Sequence, residues 1–178
     1  MPLATKILPH YTYEDWLHWE GRWELIEGIP YAMSPMPIPK HQIIANTLGA
    51  EFYIALKECK ACQVMQAIDY KIADDTIIQP DILIVCEEIK KNYLDFPPSL
   101  VVEILSPSTA LKDRHSKFEI YEKQKVAYYI IVNPQTEQVE IFSLKNDAYV
   151  LVQQGDKFTF TFTVGNECEA TVDFSEIW

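Results

Sequence analysis

The chain has 178 residues, 48% apolar and 23% charged, and carries a formal charge of −11. That length and balance build one sizeable core, which excludes a disordered, collagen-like or coiled-coil chain. Nucleic-acid binding that works chiefly by neutralising phosphates favours a basic surface and is disfavoured here.

No apolar run reaches the roughly 18 residues of a membrane span, and Met1 to Lys6 lacks the pattern of a signal peptide. The expectation is a cytoplasmic protein with no membrane association, residues 1–178 forming one domain. Thr12-Tyr13-Glu14-Asp15 predicts a helix to about Glu20, with Trp16 and Trp19 as core contacts. Trp23–Ile26 and Ile29–Met33 read as a hairpin around Glu27-Gly28. A proline-rich loop follows. From Lys40 to about Glu58, Ile44, Leu48, Phe52, Ala55 and Leu56 recur at helical spacing. Gln63 to Ile72 reads as one strand, and Ile77-Ile78 and Ile82–Val85 as two more, separated by Gln79-Pro80-Asp81. Leu100 to Leu105 is apolar on both faces except at Glu103, the pattern of a buried central strand. Thr109 is the predicted N-cap of a helix to about Lys125. Strands are expected over Tyr128–Val132 and Val139–Leu144, and around Tyr149–Val152, Phe158–Phe162 and Ala170–Val172. This order predicts an α/β domain on a mixed central sheet flanked by helices.

Cys59-Lys60-Ala61-Cys62 lacks a second closely spaced pair, because Cys86 and Cys168 stand alone, so free structural thiols are the expectation. Gly-rich phosphate loops, nucleophile elbows and His-Glu-x-x-His patterns are absent from the sequence. What stands out is Glu103. A carboxylate on a strand covered from both sides needs a partner or a metal. Asp81 opens the preceding strand, and two carboxylates at facing ends of antiparallel neighbours suit a hard cation such as Mg²⁺ or Mn²⁺. A nearby lysine would complete a hydrolytic set. The one net-basic stretch, Lys112 to Lys125, holds five basic and three acidic residues. Its Lys112 and Arg114 are candidates for contact with a nucleic-acid backbone. The alternate phenylalanines Phe158, Phe160 and Phe162 must cover either the chain's own core or a second copy in a homodimer.

Glu24-Leu25-Ile26-Glu27-Gly28, Met33-Ser34-Pro35, His41, Gln79-Pro80-Asp81 and Val102 to Thr109, followed by Asp113-Arg114, Lys117 and Tyr121, resemble a known family. It is the "putative restriction endonuclease" family of the PD-(D/E)XK nuclease superfamily, small bacterial domains common in cyanobacteria. The resemblance covers about Glu24 to Leu144 and implies a restriction-endonuclease-like core and Mg²⁺- or Mn²⁺-dependent cleavage of DNA. Asp81 and Glu103 match the two acids of the motif. The lysine of that motif is replaced by Leu105, and Lys117 on the following helix is the substitute the resemblance implies. Glu24 is the candidate for a further metal ligand, and His41 joins Lys112 and Arg114 as a candidate nucleic-acid contact. The alternative implied by Leu105 is a nuclease-like domain without catalysis, acting as a binding module for nucleic acid or protein.

Overall fold

The computed structural model describes residues 7–33 and 37–178, so Ser34 and Pro35 of the Met33-Ser34-Pro35 run lie outside it. Glu27 (φ 49°) and Gly28 (φ 77°) make the left-handed two-residue turn that joins β1 (Trp23–Ile26) to β2 (Ile29–Ala32). This hairpin extends through β5 (Thr76–Ile78) to β4 (Tyr70–Ala73), giving a four-stranded sheet ordered β2-β1-β5-β4.

The predicted single strand over Gln63–Ile72 is corrected by the structure. β3 (Gln63–Gln66) pairs with β6 (Ile82–Val85), whereas β4 belongs to the first sheet. Between them the backbone bonds elsewhere: Ala67 N–H to the Asp81 carbonyl at 3.2 Å, and Leu94 N–H to the Asp69 carbonyl at 2.8 Å. The chain changes sheet again at Gln79-Pro80-Asp81. Proline has no N–H to give to a ladder, so β5 ends and β6 begins across it.

The second sheet is ordered β10-β9-β8-β7-β6-β3. It contains β7 (Leu100–Ile104), β8 (Tyr128–Asn133), β9 (Gln138–Lys145) and β10 (Ala148–Gly155). β7 and β8 run parallel and the other pairs antiparallel, so the sheet is mixed as expected. All five residues of β7 are buried. On one face lies α2 (Pro39–Ala55), which starts with proline at its first turn and buries Ile44, Leu48 and Phe52. A continuous helical segment covers the opposite face: α3 (Ala110–Lys112), a π-helical turn (Asp113–Lys117) and α4 (Phe118–Lys123). Thr109 does not cap this helix with its side chain, as was expected. Its Oγ1 instead accepts the Ser106 N–H at 3.2 Å, closing the turn that follows β7. α1 (Tyr13–Trp16) is also shorter than predicted, and Trp16 and Trp19 are half-buried; Trp19 packs on Tyr11 and Trp23. Among the described residues, no helix is long and apolar enough to cross a membrane.

A third, two-stranded sheet of β11 (Thr159–Val164) and β12 (Cys168–Asp173) packs into the core on the α2 side of the large sheet. Phe162 is fully buried against Phe52, Tyr128 and Phe174, and Phe158 and Phe160 pack against the same core. The phenylalanine row therefore covers its own chain. Phe162→Ala is expected to cost about 3–5 kcal/mol of unfolding free energy in urea denaturation; a loss below ~1 kcal/mol would contradict this packing.

The cysteines also depart from expectation. Cys59 is bonded to Cys168 and Cys62 to Cys86, so none is free in the structure. Cys86 and Cys168, isolated in sequence, are brought to the Cys59–Cys62 turn by the end of β6 and the start of β12.

Candidate active site

In the β6–β7 ladder Ile82 opposes Val102. Continuing that register by one pair sets Asp81 opposite Glu103, on the face covered by the helical segment. The Ile104 N–H donates to Asp81 Oδ2 at 2.7 Å, fixing the carboxylate at the strand end. His41, in the first turn of α2, reaches the same oxygen with Nε2 at 3.3 Å. Its Nδ1 is buried without a partner among the described residues.

Glu103 is 2% exposed, and its Oε1 accepts from Lys117 Nζ at 2.8 Å and from the Tyr121 hydroxyl at 2.6 Å. Neither Glu103 Oε2 nor Asp81 Oδ1 has a donor among the described residues. Lys117 is 1% exposed, comes from the π-helical turn and is shared by three acids: Glu103, Glu24 Oε1 at 2.7 Å and Asp113 Oδ1 at 3.6 Å. The four-residue spacing of Asp113, Lys117 and Tyr121 was readable as one helical face. The wider π turn within it was not, although such turns recur at functional sites.

Glu24, the expected further metal ligand, is surrounded by donors of the chain itself. Both its oxygens are taken, Oε1 by the Gln79 N–H at 2.8 Å and by Lys117, Oε2 by Lys112. Arg22 holds the Gln79 side chain through two N–H groups at 3.1 and 2.9 Å, which steadies the loop that donates to Glu24. Glu24 is thus the fully buried anchor of two lysines. Lys112, proposed for a nucleic-acid backbone, is drawn inward by this pair, with its side chain 11% exposed. Arg114 turns away and pairs with Glu140 on β9 at 2.6 Å. Neither placement could be read from a local run of charge, since each depends on a partner far away in sequence.

The electrostatics follow from crowding. Burial pushes the Glu103 carboxyl well above the ordinary carboxylate range; Lys117 opposes this, while Asp113, Asp81 and Glu24 add to it. Burial acts the same way on Glu24, but Lys117 and Lys112 outweigh it and hold that carboxyl below its usual value. For Lys117, burial would favour the neutral amine, yet Glu103, Glu24 and Asp113 keep the ammonium well above the usual lysine range. Four carboxyl groups against two lysines leave a formal excess of two negative charges at one spot. The undonated oxygens of Asp81 and Glu103, both hard ligands, fit a divalent cation that would balance that excess.

These groups open on a cavity of about 820 Å³ lined by His41, Asp81, Glu103, Lys112 and Lys117. Arg22 and His115 line it too, two cationic or potentially cationic side chains that sequence reasoning did not single out. His115 lay within the basic stretch and could have been included; Arg22 had no local signal.

A family model described as "Putative restriction endonuclease" (Uma2) matches residues 11–171. The chain belongs to this family. Membership agrees with the fold, which is shared with the crystal structure of a "putative nuclease belonging to DUF820" from Anabaena variabilis: TM-score 0.71, 18% identity, covering 88% of this chain and 90% of that one. An uncharacterized protein of Synechocystis is 27% identical over 161 residues, 81% of this chain and 80% of its own. The shared fold is thus an α/β one, built in this chain on a mixed sheet with a crossover helix, with Asp81 just ahead of β6 and Glu103 on β7.

Proposed function

We propose that the chain is an endonuclease that hydrolyses phosphodiester bonds in DNA, with Asp81 and Glu103 as ligands for Mg²⁺ or Mn²⁺. The observation that carries this is the reach of Lys117 to Glu103 at 2.8 Å. Leu105 is buried in the apolar cluster on that face of the sheet, and an ammonium delivered by the helix supplies the charge that the strand lacks. A bound divalent cation would lower the pKa of a water and neutralise charge on the phosphodiester. The rest is done by the protein. Lys117, held as an ammonium, orients the Glu103 carboxylate and donates toward a water at the cavity wall. Tyr121 fixes the other side of the same oxygen. His41 and the Ile104 N–H hold Asp81 in place. Arg22, with Lys112 and His115 on the same lining, puts basic side chains on the cavity that would receive a phosphate backbone.

The test is incubation with supercoiled plasmid and Mn²⁺ or Mg²⁺ beside Asp81→Ala and Glu103→Ala. Loss of cation-based charge stabilisation, worth several kcal/mol, predicts cleavage reduced at least about 10²-fold in each variant. Equal cleavage by all three proteins would place the activity elsewhere. No cleavage with any divalent metal would favour the second reading, a binding module that keeps the nuclease fold. A homodimer would suit a duplex with two scissile strands, but the phenylalanine row does not call for one. Light scattering at 20.6 kDa would exclude it.

A further inference from the structure

All four cysteines of the chain meet on the side of the molecule formed by α2, the β3–β6 edge and the third sheet, within the apolar cluster that contains Ile44, Phe52 and Phe162. They arrive from four separate places. Cys59 follows α2, Cys62 precedes β3, Cys86 follows β6 and Cys168 begins β12. The Cys59–Cys62 turn is closed by the Cys62 N–H donating to the Cys59 carbonyl at 3.1 Å, which turns both sulfurs to one side. The sulfurs of Cys59, Cys62 and Cys168 lie within 4.8 Å of one another, and Cys86 is bonded to Cys62. Cys62 belongs to the other bonded pair from Cys59 and Cys168, so the two pairs share one small volume. Four sulfurs tetrahedrally placed about 2.3 Å from one ion would be separated by about 3.8 Å. Cys59, Cys62 and Cys168 already lie within reach of that spacing, and Cys86, once released from Cys62, is the sulfur that must move to complete the set.

The loop between β11 and β12 closes over this volume. Gly165 has φ 56°, and a Cβ there would lie 2.9 Å from Cys86 Cβ, 3.0 Å from Cys86 Sγ and 3.2 Å from Cys62 Sγ. Backbone therefore approaches the sulfurs more closely than any side chain would allow.

We propose that, as thiolates, Cys59, Cys62, Cys86 and Cys168 bind one Zn²⁺ in a tetrahedral site that fastens the β11–β12 hairpin to the large sheet and to the end of α2. The hairpin has no strand pairing with the large sheet. A metal tying Cys168 and Cys86 to the Cys59–Cys62 turn would add a bonded link to apolar packing. Four soft thiolates in a tetrahedral set favour Zn²⁺ over the hard cation proposed for Asp81 and Glu103. Binding exchanges up to four thiol protons for the ion, with no change of oxidation state. From the paired form, a thiol or phosphine reductant must first supply two electrons to each sulfur pair. The site is separate from the carboxylate cluster and stands whether or not the chain cleaves DNA.

The test is metal analysis of the full chain prepared under a phosphine reductant. One equivalent of zinc is expected, with four thiols that become reactive only after the metal is chelated. Cobalt in place of zinc should give the strong visible bands of a tetrahedral thiolate complex, and Cys168→Ser should shift and weaken them as one sulfur is lost. Zinc should raise the melting temperature of the reduced protein, and chelator should lower it. Should Cys168→Ser fail to fold, Gly165→Ala, which crowds the sulfurs without removing a ligand, is expected to weaken cobalt binding. Reduced, folded wild-type chain that takes up neither metal would overturn the proposal. So would retention of both sulfur pairs after equilibration in a buffer at the redox poise of the cytosol.

Discussion

Lys117→Met is expected to destabilise the chain by about 3–5 kcal/mol in urea denaturation and to abolish metal-dependent cleavage. The reason is the number of acids that one ammonium serves. Glu24 and Glu103 are 0% and 2% exposed, Asp113 is 2% exposed, and all three face Nζ. Removing one member of a buried ion pair leaves the partner charge in a medium that solvates it poorly, which is the large term in such substitutions. Methionine keeps the length of the side chain, so the loss reports charge more than volume. The double variant Lys117→Met with Glu103→Gln removes one stranded carboxylate and is expected to recover part of the stability but none of the cleavage. A single variant as stable as the parent would show that the acids are neutral without lysine, and the role given to Lys117 would fail.

Lys112→Glu and Arg114→Glu, two positions apart and alike by charge, are expected to differ sharply. Lys112 pairs with the fully buried Glu24, so reversing its charge sets two carboxylates against each other inside the protein. A loss of about 3–5 kcal/mol follows, and DNA binding falls because the cavity wall is disordered. Arg114 pairs with Glu140 at side-chain exposures of 36% and 17%, where solvent screens both groups. Its reversal should cost about 1 kcal/mol or less and leave the fold intact. In folded Arg114→Glu, DNA affinity and its salt slope should match the parent, because this side chain faces β9 and not the cavity. A weakened, salt-insensitive complex in that variant would place the duplex along β9 instead.

Much of the architecture is local and therefore readable along the chain. The hairpin at Glu27-Gly28 needs left-handed backbone, which Gly28 adopts without a Cβ penalty and which marks the turn in the sequence. α2 shows its buried stripe through Ile44, Leu48 and Phe52, and β7 shows its burial through a run broken only by Glu103. The opposition of Asp81 and Glu103 follows from two short antiparallel strands with apolar patterns. Lys117 is different, because its role came from resemblance rather than from spacing. Three features required the tertiary structure. The division of Gln63 to Ile72 between two sheets is invisible in a pattern whose parity continues across the break, since alternation records which face is buried and not which strand is the partner. The inward pull on Lys112 and the outward turn of Arg114 depend on Glu24 and Glu140, which lie 88 and 26 positions away. The gathering of four cysteines depends on where α2 and β6 end and where β3 and β12 begin. A sequence reports each residue's own preference for water, helix or strand; pairing between distant groups is decided by which elements the fold sets side by side.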